Sequence, residues 1–277
     1  MEISNRIVVV TGGGSGIGEA LAEQCLAGGA EHVVVADLLA ERAGAVAGRL
    51  GERASGVGLD VADEAAVKAL VADTIGRHGR IDLFVSNAGY GKRGGLELTN
   101  DDFERMWQVH TMAHVYAARA VLPSMIERGE GYLLNTASAA GLLTQMDSVI
   151  YAVTKHAAVA LGEWLSINHH HQGIRVSVLC PQAVATNILA SFDDDDSAKG
   201  SGGQAGGDGV LSATVVADAC LDAVANERFL VLPHPEVATY FQRKATDYDR
   251  WLAGMRRYAG RLWGDSPGGL PGDWLVR

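Results

Sequence analysis

Short apolar runs recur along this chain with a helix-length segment between each and the next, and no other feature restricts the fold so tightly. The runs are RIVVVTG (6–12), HVVVAD (32–37), ASGVGLDV (54–61), IDLFVSNAG (81–89), GYLLNTAS (131–138), IRVSVLCP (174–181) and RFLVLP (228–233). Apolar residues at consecutive positions, rather than alternate ones, mark strands buried on both faces. The intervening segments carry apolar residues at helical spacing, as in IGEALAEQCLAGG and EAAVKALVADTIGRHG, and end in glycine. Further helices are expected over 101–128, with Pro123 near its end, over 151–171 and over 214–226. The pattern predicts an α/β fold, a doubly wound parallel β-sheet flanked by helices in a single domain.

Two regions leave the pattern. DDDDSAKGSGGQAGGDG (193–209) is too polar and glycine-rich to offset the entropy of ordering it, so it reads as a mobile loop within a 1–234 domain. Consecutive aspartates cannot all converge on one ion, so a solvated loop is preferred there to a metal site. From 235 to 263 the chain reads as one amphipathic helix, and 235–277 is expected to be a helical extension packed on the same domain. NHHHQG (168–173) reads as a helix end capped by Gly173, its histidines suiting the terminal dipole; no metal is expected there.

A formal net charge of −10 disfavours a nucleic-acid partner, which would need a basic footprint. No apolar run approaches the ~20 residues of a membrane helix. The start MEISNRIVVV enters a strand at once, without the pattern of a secretory leader. Cys25, Cys180 and Cys220 are scattered, and no CxxC occurs. Free thiols in a cytoplasmic protein are the expectation.

Between the first strand and first helix, VVVTGGGSGIG places Gly12, Gly16 and Gly18, with Ser15 and Ile17 among them. Backbone without Cβ turns tightly and approaches a pyrophosphate, and the helix N-terminus offers unpaired N–H groups to it. The absence of GK[ST] disfavours a P-loop. Asp37 ends the second strand about twenty residues on, where a carboxylate accepts hydrogen bonds from a ribose and repels a 2′-phosphate. The next residues are Leu38 and Leu39, with no arginine to neutralise that phosphate. NAD is therefore expected over NADP. The alternative is that Asp37 only caps the next helix.

The glycine loop, SNAG at 86–89, Ser138 after the fifth strand and Tyr151 four residues before Lys155 occur in this order. Together they resemble the short-chain dehydrogenase/reductase superfamily, in its compact single-domain branch with a Rossmann fold. The resemblance covers about residues 5–190 and implies an NAD(H)-dependent oxidoreductase acting on a CH–OH group. Residues i and i+4 share a helix face, so Lys155 stands beside Tyr151. An ammonium there, and the charge of oxidised nicotinamide, would lower a phenol from its usual pKa near ~10. Tyr151 would then serve as the acid/base, with the Ser138 hydroxyl holding the substrate oxygen. The resemblance also gives Lys155 to the nicotinamide ribose and Asp60 and Val61 to adenine. It places Asn87, Ala88 and Gly89 at a turn beside the cofactor, and Pro181, Val184 and Thr186 over the nicotinamide amide.

The chain departs from the family at four points, one of them RFLVLPHPE in place of the familiar glycine-ending last strand. His110 stands at the family's kink in the long helix, where an asparagine ordinarily holds a water linking the lysine to solvent, and a histidine there either passes protons or fills space. Ser86 replaces the first Asn of the usual motif, and Gln182 replaces the glycine after Pro181. The substrate is expected to be a hydrophobic secondary alcohol or ketone, bounded by Tyr90, Leu142, Leu143, Met146, Ile188, Leu189 and Phe192, with 193–209 as a lid. A homodimer or homotetramer is implied. An NAD-binding sensor with little turnover is the competing reading; a methyltransferase would leave the Tyr151–Lys155 pair unexplained.

Overall fold

The computed structural model describes residues 1–186 and 207–263. Its strands are β1 (Ile7–Thr11), β2 (His32–Asp37), β3 (Ala54–Gly58), β4 (Leu83–Ser86), β5 (Gly131–Thr136), β6 (Ile174–Leu179) and β7 (Leu230–Val231). They form one sheet in the order β3-β2-β1-β4-β5-β6-β7, every neighbouring pair parallel. Helices α1 (Gly16–Ala27), α2 (Ala40–Leu50), α3 (Glu64–His78), α4 (Asn100–Trp107), α5 (Ala113–Arg128), α6 (Val149–His169) and α7 (Ala213–Ala225) connect the strands. Two more, α8 (Glu236–Thr246) and α9 (Tyr248–Trp263), follow β7.

Why the strand sequences are apolar throughout is visible in β1. Val8 and Val10 pack with Leu21, Cys25 and Val216 on one face, while Val9 packs with Val71 and Val121 on the other. Two cores therefore clasp one sheet, and neither face of the central strands meets water. The chain order reverses between β1 and β4. The carboxyl ends of those strands diverge there, which opens a crevice of the kind that binds ligands in doubly wound sheets.

Several boundaries differ from expectation. The 101–128 segment is not one regular helix but breaks at His110, where the resemblance places a kink. Gln108–Met112 forms a widened turn with π-helical hydrogen bonding between α4 and α5, centred on His110. The strand expected over 81–89 stops at Ser86, because Asn87 leaves the sheet to bond the β1 turn. The C-terminal segment is two helices rather than one. Asp247 adopts an extended conformation (φ −149°, ψ 92°) and accepts the N–H of Arg250 at 2.9 Å, so it ends α8 and caps α9. The end of α6 matches expectation: a short turn over His170–Gln172 closes on Gly173, whose φ is +82°. Among the described residues, no helix is long and apolar enough to cross a membrane.

Candidate active site

At the crevice lies a cleft of about 590 Å³. Gly12 and Gly16 adopt φ of +62° and +57°, the left-handed region that glycine enters without strain. A Cβ on Gly12 would stand 2.8 Å from Ala88 Cα, so the loop packs against the SNAG turn with no room to spare. Gly18 does not face the cleft; its missing Cβ lets α1 approach the Gly12 carbonyl. Ser15 caps α1 by position but its hydroxyl takes no capping hydrogen bond, and Ser15, Gly16 and Ile17 line the cleft. The first-turn N–H groups of α1 are thereby left for an anion. This cradle fits a dinucleotide pyrophosphate.

Asp37 faces the loop from the end of β2. Its Oδ2 accepts the Gly14 N–H at 3.0 Å and its Oδ1 accepts the Leu39 N–H, also at 3.0 Å. The carboxylate therefore both shapes the entry to α2 and lines the cleft beside Leu38. Arg42, one turn into α2, lines the same end, a residue the sequence reading passed over. Asp60 and Val61 line the next part. Burial alone would raise the Asp60 carboxyl, but the Arg105 guanidinium and the Ala62 N–H hold it below its ordinary range.

Asn87 ties three strands together. Its backbone N–H donates to Thr11 Oγ1 at 3.0 Å, its amide to the Thr11 carbonyl at 3.2 Å, and its Oδ1 accepts from Thr136 Oγ1 at 3.2 Å. Ala88 and Gly89 then border the cleft, as do Pro181, Val184 and Thr186 across from them.

Ser138, Tyr151 and Lys155 meet at the centre. The Ser138 hydroxyl, held at the end of β5 by the Ala140 N–H at 3.1 Å and 3.4 Å from the Pro181 carbonyl, stands near enough to the Tyr151 phenol to favour its ionised form. Lys155 is buried, donates to the Thr136 carbonyl at 2.9 Å and lies 5.6 Å from the centroid of the Tyr151 ring. Burial lowers Lys155 from 10.5 to about 8. The lowering expected of Tyr151 is outweighed in the protein alone. Burial pushes the phenol above its ordinary value, and the nearby Ser138 hydroxyl opposes this only in part.

His110 is fully buried, and its ring stands edge-on to Tyr90 and Tyr151, each 5.4 Å away between centroids. Its Nε2 accepts the Tyr90 N–H at 3.1 Å. Its Nδ1 lies 3.3 Å from Thr154 Oγ1, which itself donates to the Ile150 carbonyl. These partners place the proton on Nδ1. Burial, then the Lys155 charge, then His114 push its pKa well below 6.5. The imidazole is neutral and both nitrogens are engaged, an arrangement that favours the space-filling alternative, with the ring also bracing the Tyr90 backbone.

The substrate wall is less apolar than expected. Tyr90 and Leu143 line it, but Leu142 turns inward to pack with Ala137, Ala158 and Val237. Its carbonyl accepts from Lys244 Nζ of α8 at 2.7 Å, an ammonium set against the Tyr248 and Trp251 rings. Met146 is not among the lining residues, whereas Arg93, Gln145, Asp147 and Gln182 are. Ile188, Leu189 and Phe192 lie outside the described residues, as does 193–206 of the proposed lid.

The family model described as short chain dehydrogenase matches residues 6–197. Over 197 residues, 70% of this chain and 78% of the relative, the sequence is 36% identical to a meso-2,3-butanediol dehydrogenase of Serratia marcescens. Over 244 residues, 85% and 86%, it is 35% identical to a 1-deoxy-11-beta-hydroxypentalenate dehydrogenase of Streptomyces exfoliatus. Among solved structures, a short chain dehydrogenase/reductase from Burkholderia phymatum in complex with NAD superposes with a TM-score of 0.81 at 30% identity, covering 90% of this chain and 96% of that one.

Proposed function

The chain belongs to the short chain dehydrogenase family, and we propose that it is an NAD(H)-dependent oxidoreductase interconverting a secondary alcohol and its ketone, with Tyr151 as the acid/base. The observation that carries this reading is the convergence of Ser138, Tyr151 and Lys155, the ammonium 5.6 Å from the ring centroid, inside the cleft that begins at the glycine loop. A nicotinamide cofactor, when bound, supplies the hydride acceptor. The loop from Gly12 to Ile17 holds its pyrophosphate, Asp37 and Leu38 its adenosine ribose, Asp60 and Val61 its adenine. Asn87, Ala88 and Gly89, with Pro181, Val184 and Thr186, border its nicotinamide half, and Lys155 holds the ribose there. The Asp37 carboxylate supports NAD over NADP.

Tyr151 takes the hydroxyl proton of the alcohol in oxidation and returns one to the ketone oxygen in reduction. Ser138 donates to that same oxygen and steadies the charge that develops on it. Tyr90 and Leu143 set an apolar surface beside the reacting carbon. A cytoplasmic location and a homodimeric or homotetrameric assembly belong to the same proposal. The exposed Val153, Trp164 and Ile167 of α6 favour the assembly. The test is steady-state oxidation of a panel of secondary alcohols with NAD. Turnover of at least one is expected. NAD binding with no turnover across the panel would leave the sensor reading in its place.

A further inference from the structure

Beyond Tyr151 the cleft wall becomes ionic. Arg93, Gln145 and Asp147 line it together. Arg93 Nε lies 3.3 Å from Asp147 Oδ2, and the Gln145 amide donates to the other oxygen, Oδ1. The Asp147 side chain is only 15% exposed, and Arg93 Nε is buried without a hydrogen-bond partner. Backbone fixes the pair in place: Gly94 N–H donates to the Asp147 carbonyl at 3.1 Å, and Val149 N–H to the Gly94 carbonyl at 3.0 Å. The Ser148 hydroxyl donates to the Lys92 carbonyl at 2.6 Å and accepts the Tyr151 N–H at 3.3 Å. Asp147 thus stands four residues ahead of Tyr151, just before the Ser148 cap of α6.

A purely hydrocarbon substrate would cover these groups and strip their water without replacing its hydrogen bonds. An anionic substrate would meet a guanidinium already neutralised by Asp147, and would be repelled by that carboxylate. A hydroxyl is both donor and acceptor, and so satisfies a carboxylate and a guanidinium at once. We propose that the preferred substrate carries a second hydroxyl group besides the reacting one, read by Asp147 as acceptor and Arg93 as donor. The substrate class is then a diol, a polyol or the corresponding hydroxyketone. This inference rests on the oxidoreductase reading above and narrows it.

The experiment compares cis-1,2-cyclohexanediol with cyclohexanol, both with NAD, in the full-length protein. The diol should have the higher kcat/KM by roughly 10- to 100-fold, the range of a hydrogen bond to a charged group. In Asp147→Ala that ratio should fall to within about threefold. Gln145→Leu leaves the ion pair's charges intact and should lower the ratio by a smaller factor, which keeps the test open if Asp147→Ala does not fold. A wild-type ratio near one overturns the proposal. So does a variant that loses activity on both alcohols in proportion, since that marks a merely structural ion pair. NAD binding with no turnover of either alcohol, or of any in the wider panel, fails the oxidoreductase reading itself.

Discussion

Lys155→Met should abolish turnover and, at neutral pH, relieve a strain that the folded protein carries. The Lys155 ammonium is buried, with one hydrogen bond to the Thr136 carbonyl and no opposing carboxylate among the described residues. Burial lowers its pKa from the ordinary 10.5 to about 8. Below pH 8 both folded and unfolded chains hold the proton, so the cost of the buried charge is fully present. Between pH 8 and 10.5 the unfolded chain holds more proton than the folded one, and stability therefore rises with pH. The full span corresponds to about 3 kcal/mol. Methionine has similar length and no charge, so it lacks this slope. Urea unfolding of both proteins, from about pH 7 to about pH 10, isolates the effect, because other groups cancel in the difference. The wild type should gain about 2–3 kcal/mol on the variant across that range. A difference that stays constant with pH would refute the reasoning, since the ammonium would then be as well solvated folded as unfolded.

His110→Phe keeps the edge-on ring but removes the acceptor for the Tyr90 N–H, and should cost about 1–3 kcal/mol in denaturant unfolding. The pH profile of alcohol oxidation should keep its shape, because His110 is already neutral; a displaced limb would instead make it a proton carrier. Asp37→Ala should raise the NADP-to-NAD ratio of kcat/KM by roughly 10- to 100-fold, since it removes a repelling carboxylate and leaves Arg42 at that end of the cleft. An unchanged ratio would mean that Asp37 serves only the entry to α2.

What local pattern encodes was legible before any coordinates. Val8, Val9 and Val10 announce a strand buried on both sides, and Gly12 and Gly16 announce backbone that only glycine adopts easily. The order of Ser138, Tyr151 and Lys155 singled them out as a group, and the fold brings all three to one cleft. Features that depend on partners distant in sequence were not legible. Arg93 and Asp147 meet only because the segment after β4 pairs with the entry to α6. Leu142 looked like a substrate contact, but Val237 of α8 and Lys244 beyond it draw that turn into the core. A kink at His110 was implied by the family resemblance, but the Tyr90 N–H that the histidine serves is found only in three dimensions. The break at Asp247 did carry a signal, an N-capping residue inside an otherwise helical pattern.

In the proposed reaction Tyr151 moves the proton, Ser138 donates to the reacting oxygen and Lys155 holds the nicotinamide ribose. Tyr151→Phe tests it most directly, because only the phenolic hydroxyl is removed and the packed ring is kept. The measurement is nicotinamide absorbance during alcohol oxidation, alongside NAD binding by calorimetry. A fall in kcat of at least ~10²- to 10⁴-fold with NAD affinity retained is the predicted result. A variant that keeps kcat within about tenfold of the wild type would contradict the account and place the acid/base elsewhere in the cleft.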